Sequence, residues 1–247
     1  MQRLKIIALS LVSSVVLVAP AGAKQTAGSP QKCQTDTGSI YRVDWHQGES
    51  HRSNTREFWR KDALNMMLSD DGVGEIVIPA GKGRYSLLKF FDHYQRAIEY
   101  QAGEFSGSKV NRVQPLSKEL VGQLKVVETR GEGCTLVESR SGEIGSRQYR
   151  IEWQPYRARL ISAEVKTLRA ARPVTISWVL SETVDDSAQI NAAFAKRFAY
   201  QATDFADIGD NESDPFLRKM INIGFVEHGS SGAYDSSGHQ FSGGHQH

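Results

Sequence analysis

The apolar positions follow two rhythms along this chain. Tyr149, Ile151 and Trp153 alternate with polar neighbours, as do Val174, Ile176 and Trp178. Period-two alternation of β-branched and aromatic residues predicts strands with one buried face. Four extended segments are predicted in this region: Cys134–Ser139, Arg147–Trp153, Ala158–Lys166 and Pro173–Leu180. Turn signals separate them at Ser141-Gly142, Pro155 and Ala171-Arg172-Pro173. Earlier in the chain, Ile40, Tyr41, Val43 and Trp45 mark a strand beginning near Ser39, and Arg56–Arg60 marks a second. Glu75–Ile78 marks another, ended by Pro79-Ala80-Gly81-Lys82-Gly83. Ala63–Leu68 favours a helix locally, and Asp70-Asp71-Gly72 is a turn. Tyr85–Tyr100 fits two patterns. Leu87, Phe91, Tyr94 and Ile98 would share a helical face, or the segment would fold as a hairpin turning at Asp92-His93. The aromatic content and the neighbouring strands favour the hairpin.

The second rhythm is helical. Leu116, Leu120 and Leu124 recur every four residues over Pro115–Val127, with Pro115 suited to opening a helix. Ser187 can cap a helix carrying Ile190, Phe194 and Phe198. Asp214, with Pro215 at the first helical position and Gly224 at the stop, frames a second helix over Phe216–Ile223. The expected fold class is therefore α+β: a mainly antiparallel curved β-sheet, a half-barrel, with a few helices packed on one side. It would form a single domain over residues 39–228 whose C-terminal part, 187–224, is helical.

The flanks read differently. Residues 1–23 join a cationic start (Arg3, Lys5) to the apolar run Ile6–Val18, the breaker Pro20 and the small-residue site Ala21-Gly22-Ala23. This is the pattern of a cleaved signal peptide, and the run is too short for a membrane span. Residues 24–38 read as a flexible leader, and 229–247, rich in Gly, Ser and His, as a disordered tail. The expected product is periplasmic or secreted and does not span a membrane. The net charge of +2 over 247 residues comes from Arg3 and Lys5 alone, because the remaining acids and bases balance. That balance argues against a nucleic-acid partner, which calls for a clustered basic surface. In an oxidising compartment the isolated pair Cys33 and Cys134 is most simply a disulfide.

Motifs for catalysis and metal binding are incomplete. His228, His239, His245 and His247 crowd the tail but match no closed metal site. Asp210-x-Glu212-x-Asp214 has the alternate spacing of a calcium loop but lacks its Gly and its closing Glu. Ser86-x-x-Lys89 matches one element of the penicillin-binding enzymes, without the K-T-G that accompanies it. His46 and His51 flank Glu49 in a polar stretch that reads as a surface loop. Neither a cofactor, a metal site nor an enzymatic activity is expected.

The positive signal is aromatic. Trp45, Trp59, Phe91, Trp153 and Trp178 all fall on expected strands. They either fill one core or line a cavity for an apolar ligand. The run Gly133-Cys134-Thr135-Leu136-Val137, through Arg147-Gln148-Tyr149-Arg150-Ile151-Glu152-Trp153 to Arg159-Leu160-Ile161, resembles the periplasmic lipoprotein-carrier fold. That fold is shared by outer-membrane lipoprotein-sorting carriers and regulators of sigma-E-type signalling. The resemblance covers roughly residues 39–180 and lies in the order of elements. It departs where Ala158-Arg159-Leu160 lacks the family's Pro, and Tyr200–Tyr234 has no counterpart. It implies a curved sheet holding acyl chains. The leading expectation is a non-catalytic binder of a hydrophobic small molecule, acyl chain or lipidated partner. The alternatives are an envelope protein-interaction or stress-signalling module docking through Tyr200–Phe225, and a hydrolase with a dispersed site.

Overall fold

The computed structural model describes residues 33–104, 113–208 and 213–222. The signal-like segment and the histidine-rich tail lie outside them. The described chain is dominated by one open, curled sheet of twelve strands: β1 (Thr37–Gln47), β2 (Ser50–Lys61), β3 (Leu64–Ser69), β4 (Val73–Pro79), β5 (Tyr85–Phe91), β6 (Arg96–Tyr100), β7 (Lys125–Arg130), β8 (Val137–Ile144), β9 (Arg147–Gln154), β10 (Arg159–Thr167), β11 (Val174–Val184) and β12 (Gln201–Asp204). Their spatial order is β12-β6-β5-β4-β3-β2-β1-β11-β10-β9-β8-β7. Every pairing is antiparallel except β12 on β6. Three short helices complete the fold: α1 (Lys118–Gln123), α2 (Ser187–Phe198) and α3 (Pro215–Asn222).

The sheet's two faces follow from register. Phe58, Met67, Glu75, Lys89 and Ile98 are successive cross-strand partners and define a front face. Trp59, Met66, Ile76, Leu88 and Glu99 define the back. Strands β4 and β5 are apolar on both sides, so both sides need cover. On the front, α3 sets Phe216, Leu217 and Met220 against Val77, Leu87, Phe91 and Ile98. On the back, α2 sets Ile190 and Phe194 against Met66, Ile76, Leu88 and Phe90. A third cluster joins Val121 and Leu124 around α1 to Tyr41, Tyr149, Ile151, Trp153 and Leu160 on the front of β1, β9 and β10. The curled antiparallel sheet with few helices is as the sequence implies. Its helices divide between the two faces, because doublets such as Leu87-Leu88 and Phe90-Phe91 point opposite ways and each side must be buried.

Tyr85–Tyr100 is the hairpin of β5 and β6. Several local expectations are corrected. Ala63–Leu68 is not helical: Leu64–Ser69 is β3, with Met66 and Leu68 buried between β2 and β4. Long-range pairing there overrides a weak local propensity. The helix expected over Pro115–Val127 is confined to Lys118–Gln123, capped by Ser117, whose hydroxyl accepts from the Leu120 amide at 3.2 Å. The β-branched pair Val126-Val127 instead joins β7 at the sheet edge. Ser141-Gly142 is no turn but the middle of β8; the chain reverses at Gly145, whose φ of +60° suits glycine. Asp186, not Ser187, caps α2, accepting from the Gln189 amide at 2.8 Å. The first strand starts at Thr37, so the leader yields its last two residues to the sheet. The C-terminal part carries β12 between its two helices.

The Cys33–Cys134 disulfide is formed, closing a separation of 101 residues. It anchors the segment before β1 beside the turn before β8. An ionic latch lies next to it. Arg157 pairs with Asp185 at 3.0 Å and donates to the Cys134 carbonyl at 3.2 Å. Arg159, buried, pairs with the same carboxylate and donates to the Thr37 hydroxyl at 2.7 Å. Burial opposes ionisation of Asp185, but the bonds from Thr37 and Arg159 outweigh it and hold its pKa below the usual range. Among the described residues no helix is long and apolar enough to cross a membrane.

Candidate functional site

Helices α1 and α3 leave the middle of the front face uncovered. This strip belongs to β2, β1 and β11, which lie side by side. Its rows are set by register: Arg52, Trp45 and Ile176 in one, Asn54, Val43 and Trp178 in the next, then Arg56, Tyr41 and Leu180. The result is an open groove of about 580 Å³, floored by Val43, Trp45, Phe58, Met67, Ile176 and Trp178 and closed on one side by Gln114 and Pro115. That volume falls within the range of small-molecule sites. The end of the floor is rigid. Trp178 meets Tyr41 edge-on at 6.0 Å and Phe58 at 5.9 Å, and Tyr41 meets Phe58 at 5.8 Å. Such contacts hold aromatic rings in place beyond simple burial.

Next to the groove, and sharing Phe58, Gln114 and Pro115 with it, is a smaller, partly enclosed space of about 40 Å³. Tyr41, Trp153, Leu160, Arg60 and Arg159 line it. It has room for a water or two, not for an organic ligand. Burial pushes the Tyr41 hydroxyl up to about 12. It therefore stays protonated and donates to the Leu160 carbonyl at 2.9 Å. Arg60 also has a lowered pKa, from burial and then from the neighbouring Arg159 charge. Its guanidinium is tied to the carbonyls of Thr35, Arg157 and Ala158 at 2.7, 2.6 and 3.2 Å. These groups fasten the floor of the groove to the disulfide-linked latch.

The five aromatic candidates separate. Trp45 and Trp178 both line the groove. Trp153 is buried in the cluster under α1 and borders the small space. Phe91 lies in the other front cluster, edge-on to Phe216 at 5.2 Å, beneath α3. Trp59 points to the back, where its ring occupies the space a side chain on Gly38 would need, and its indole N–H donates to Glu57 at 2.9 Å. Arg52, Asn54, Arg56, Met67 and Pro115 line the groove without having stood out in the sequence. The polar run Ser50-His51-Arg52-Ser53-Asn54 has no apolar alternation, so nothing marked it as strand.

The other motifs find structural uses. Ser86 and Lys89 fall on opposite faces of β5, which is incompatible with the helical start that S-x-x-K chemistry needs. His46 and His51 end paired strands rather than lying in a loop; their rings stack at 4.4 Å, and His51 approaches Asp44 at 3.4 Å. Asp214 caps α3, accepting from the Phe216 amide at 2.8 Å, and pairs with Arg96 at 2.8 Å. Asp204 accepts from the Ala206 amide at 3.0 Å. Asp210 and Glu212, the remainder of the calcium-like spacing, lie outside the described residues, as do His228, His239, His245 and His247. Among the described residues no three His, Cys, Asp or Glu side chains are grouped to hold a metal.

No family model and no curated protein matches this sequence. Solved structures with a similar sheet include a DUF1329 family protein from Desulfovibrio piger, at 10% identity over 62% of this chain and 86% of that one, with a TM-score of 0.31. A domain assigned to outer membrane lipoprotein sorting, from Vibrio parahaemolyticus, is 6% identical over 65% of this chain and 91% of its own, with a TM-score of 0.31. The Pseudomonas aeruginosa MucA/MucB complex gives 12% identity over 62% of this chain and 55% of that one, with a TM-score of 0.32. The functional reading rests on the groove itself.

Proposed function

We propose that this is an exported, non-catalytic binding protein that holds a hydrophobic ligand, an acyl chain or a lipidated partner, along the uncovered strip of its front face. The observation that carries the reading is the groove. It is an aromatic and aliphatic floor of about 580 Å³, left open between two parts of the same face that helices cover. Leaving Trp45 and Trp178 half-exposed there costs free energy that a covering ligand would recover. The disulfide supports an oxidising compartment, and the signal-like residues 1–23 support export to a periplasm or beyond.

The reading has a direct test. The purified protein takes up an apolar fluorescent dye in the folded state, and a W45A/W178A variant that retains its circular dichroism takes up less. Mass spectrometry of organic extracts identifies any lipid carried through purification. Protein that binds no dye and carries no lipid would sink the proposal. The docking alternative through Tyr200–Phe225 finds less support. Gln201–Asp204 is already paired to β6, and Phe216, Leu217 and Met220 are buried.

A further inference from the structure

Resting on the reading of the groove as a ligand site, we infer that its ligand is an amphiphile with an anionic carboxylate head, a long-chain fatty acid, which Arg52 and Arg56 hold at the head end. Both arginines project to the front face from β2, four residues apart, with the uncharged Asn54 the one front-facing residue between them. Among the described residues they are the only charged side chains in the lining. Arg52 lies over the Trp45 ring, its guanidinium carbon 5.8 Å from the centroid, so one positive head sits directly on the apolar floor. Arg56 is braced, donating to the Ser69 hydroxyl and contacting the Met67 sulfur at 3.6 Å. Among the described residues neither arginine forms an ion pair; Arg60, Arg84, Arg147, Arg169, Arg172 and Arg218 form none either, but they do not line the groove.

Two arginines beside an apolar floor give the groove its polarity. A guanidinium offers a planar fork of N–H donors that matches a carboxylate, and beside an apolar wall that bond is stronger than in open water. An alkyl chain on the Trp45, Ile176, Val43 and Trp178 floor, with its head at the β2 side, satisfies both surfaces at once. A ligand of the same length with a neutral head satisfies only the first.

Hexadecanoate and hexadecanol, matched in chain length, separate the two contributions. Binding is followed by tryptophan fluorescence of the full chain at low ionic strength. The expected result is that hexadecanoate binds about tenfold more tightly. R52Q, at an exposed side chain, lowers that ratio without changing the thermal unfolding temperature. R52Q/R56Q brings the ratio to about one while hexadecanol binding is kept. Equal affinities in the unaltered protein, or a ratio that survives R52Q and the double variant, would overturn the inference while leaving an apolar site intact. Failure of both ligands to bind would remove the groove reading and this inference with it. If the double variant does not fold, R52Q alone decides.

Discussion

Strands β5 and β9 belong to the same sheet and are treated in opposite ways. In β5, Leu87 and Phe91 point forward into one core while Leu88 and Phe90 point back into another, and both sets are buried. In β9, Tyr149, Ile151 and Trp153 are buried on the front, while Gln148, Arg150 and Glu152 face back. Among the described residues no helix packs on the back there. It is laced instead by pairs such as Arg130–Glu152 at 2.8 Å and Arg150–Glu164 at 3.2 Å, which are partly exposed and contribute little stability. Between these halves lies the β1–β2–β11 strip, apolar on the front: its Tyr41 end is buried in the cluster around α1, while its Trp45 and Ile176 end is half-exposed. The difference teaches where this molecule keeps its stability and where it has surface free for a ligand. The β3–β6 half is clamped from both sides. The strip is held by its neighbours in the sheet, by the cluster at its Tyr41 end and by the latch around Asp185.

If that division is right, the largest effect follows from cutting the tie on the open half. Replacing Cys33 and Cys134 with serine should cost up to about 4–5 kcal/mol, since the bridge closes a loop of 101 residues. Urea unfolding of the two forms measures it. In the clamped half, Phe90→Ala should cost about 3–5 kcal/mol. Phe90 is fully buried, and its ring fills the space beside Gly74 that any larger residue there would need. A loss below about 1 kcal/mol in the same unfolding experiment would show that the clamp is looser than it looks.

A smaller effect is pH-dependent. Asp92, in the β5–β6 turn, accepts from Arg197 at 2.7 and 3.1 Å and from the Tyr200 hydroxyl at 2.8 Å, tying the turn to the end of α2. Burial works against its ionisation, but the Arg197 and Tyr200 bonds prevail and depress its pKa. A depressed carboxylate contributes stability above its unfolded pKa, near 4, and loses it as the pH falls through the folded value. The unaltered protein should therefore weaken on acidification below about pH 4. D92N should be less stable at neutral pH by about 1–3 kcal/mol and should lose less on acidification. Parallel acid unfolding curves for the two proteins would remove Asp92 from the account. The smallest stability change is expected in the strip. Trp45→Ala should cost about 1 kcal/mol or less, because the side chain is only half-buried. It should nevertheless weaken dye binding, read by titration. A variant that unfolds readily but binds dye unchanged would reverse the comparison.

Much of this was legible from residues alone. The alternation in Tyr149–Trp153 and Val174–Trp178 marks one-sided strands, and a turn at Asp92-His93 suits a hairpin better than a helix. With residues 1–23 read as an export signal, Cys33–Cys134 is a natural pair. Asp214-Pro215 announces the start of α3. Local pattern suffices in these places because each element's neighbours in sequence decide its shape. Other features depend on partners far along the chain. Ala63–Leu68 becomes a strand because β2 and β4 offer pairing on either side. Arg52 and Arg56 look like ordinary surface charges until register sets them on the same face as Trp45 and Trp178.

The sequence by itself determined a predominantly antiparallel β protein with few helices, a disulfide and strand-borne aromatics. Only the tertiary structure decided which of those aromatics meet. Trp59 and Phe91 are consumed by two cores on opposite faces, and Trp153 is buried under α1, while Trp45 and Trp178 remain on the uncovered strip. The reason is geometric. Alternation along a strand assigns each residue to one side of a sheet, but which side is covered depends on where helices 60 or more residues away come to rest, as α2 and α3 do.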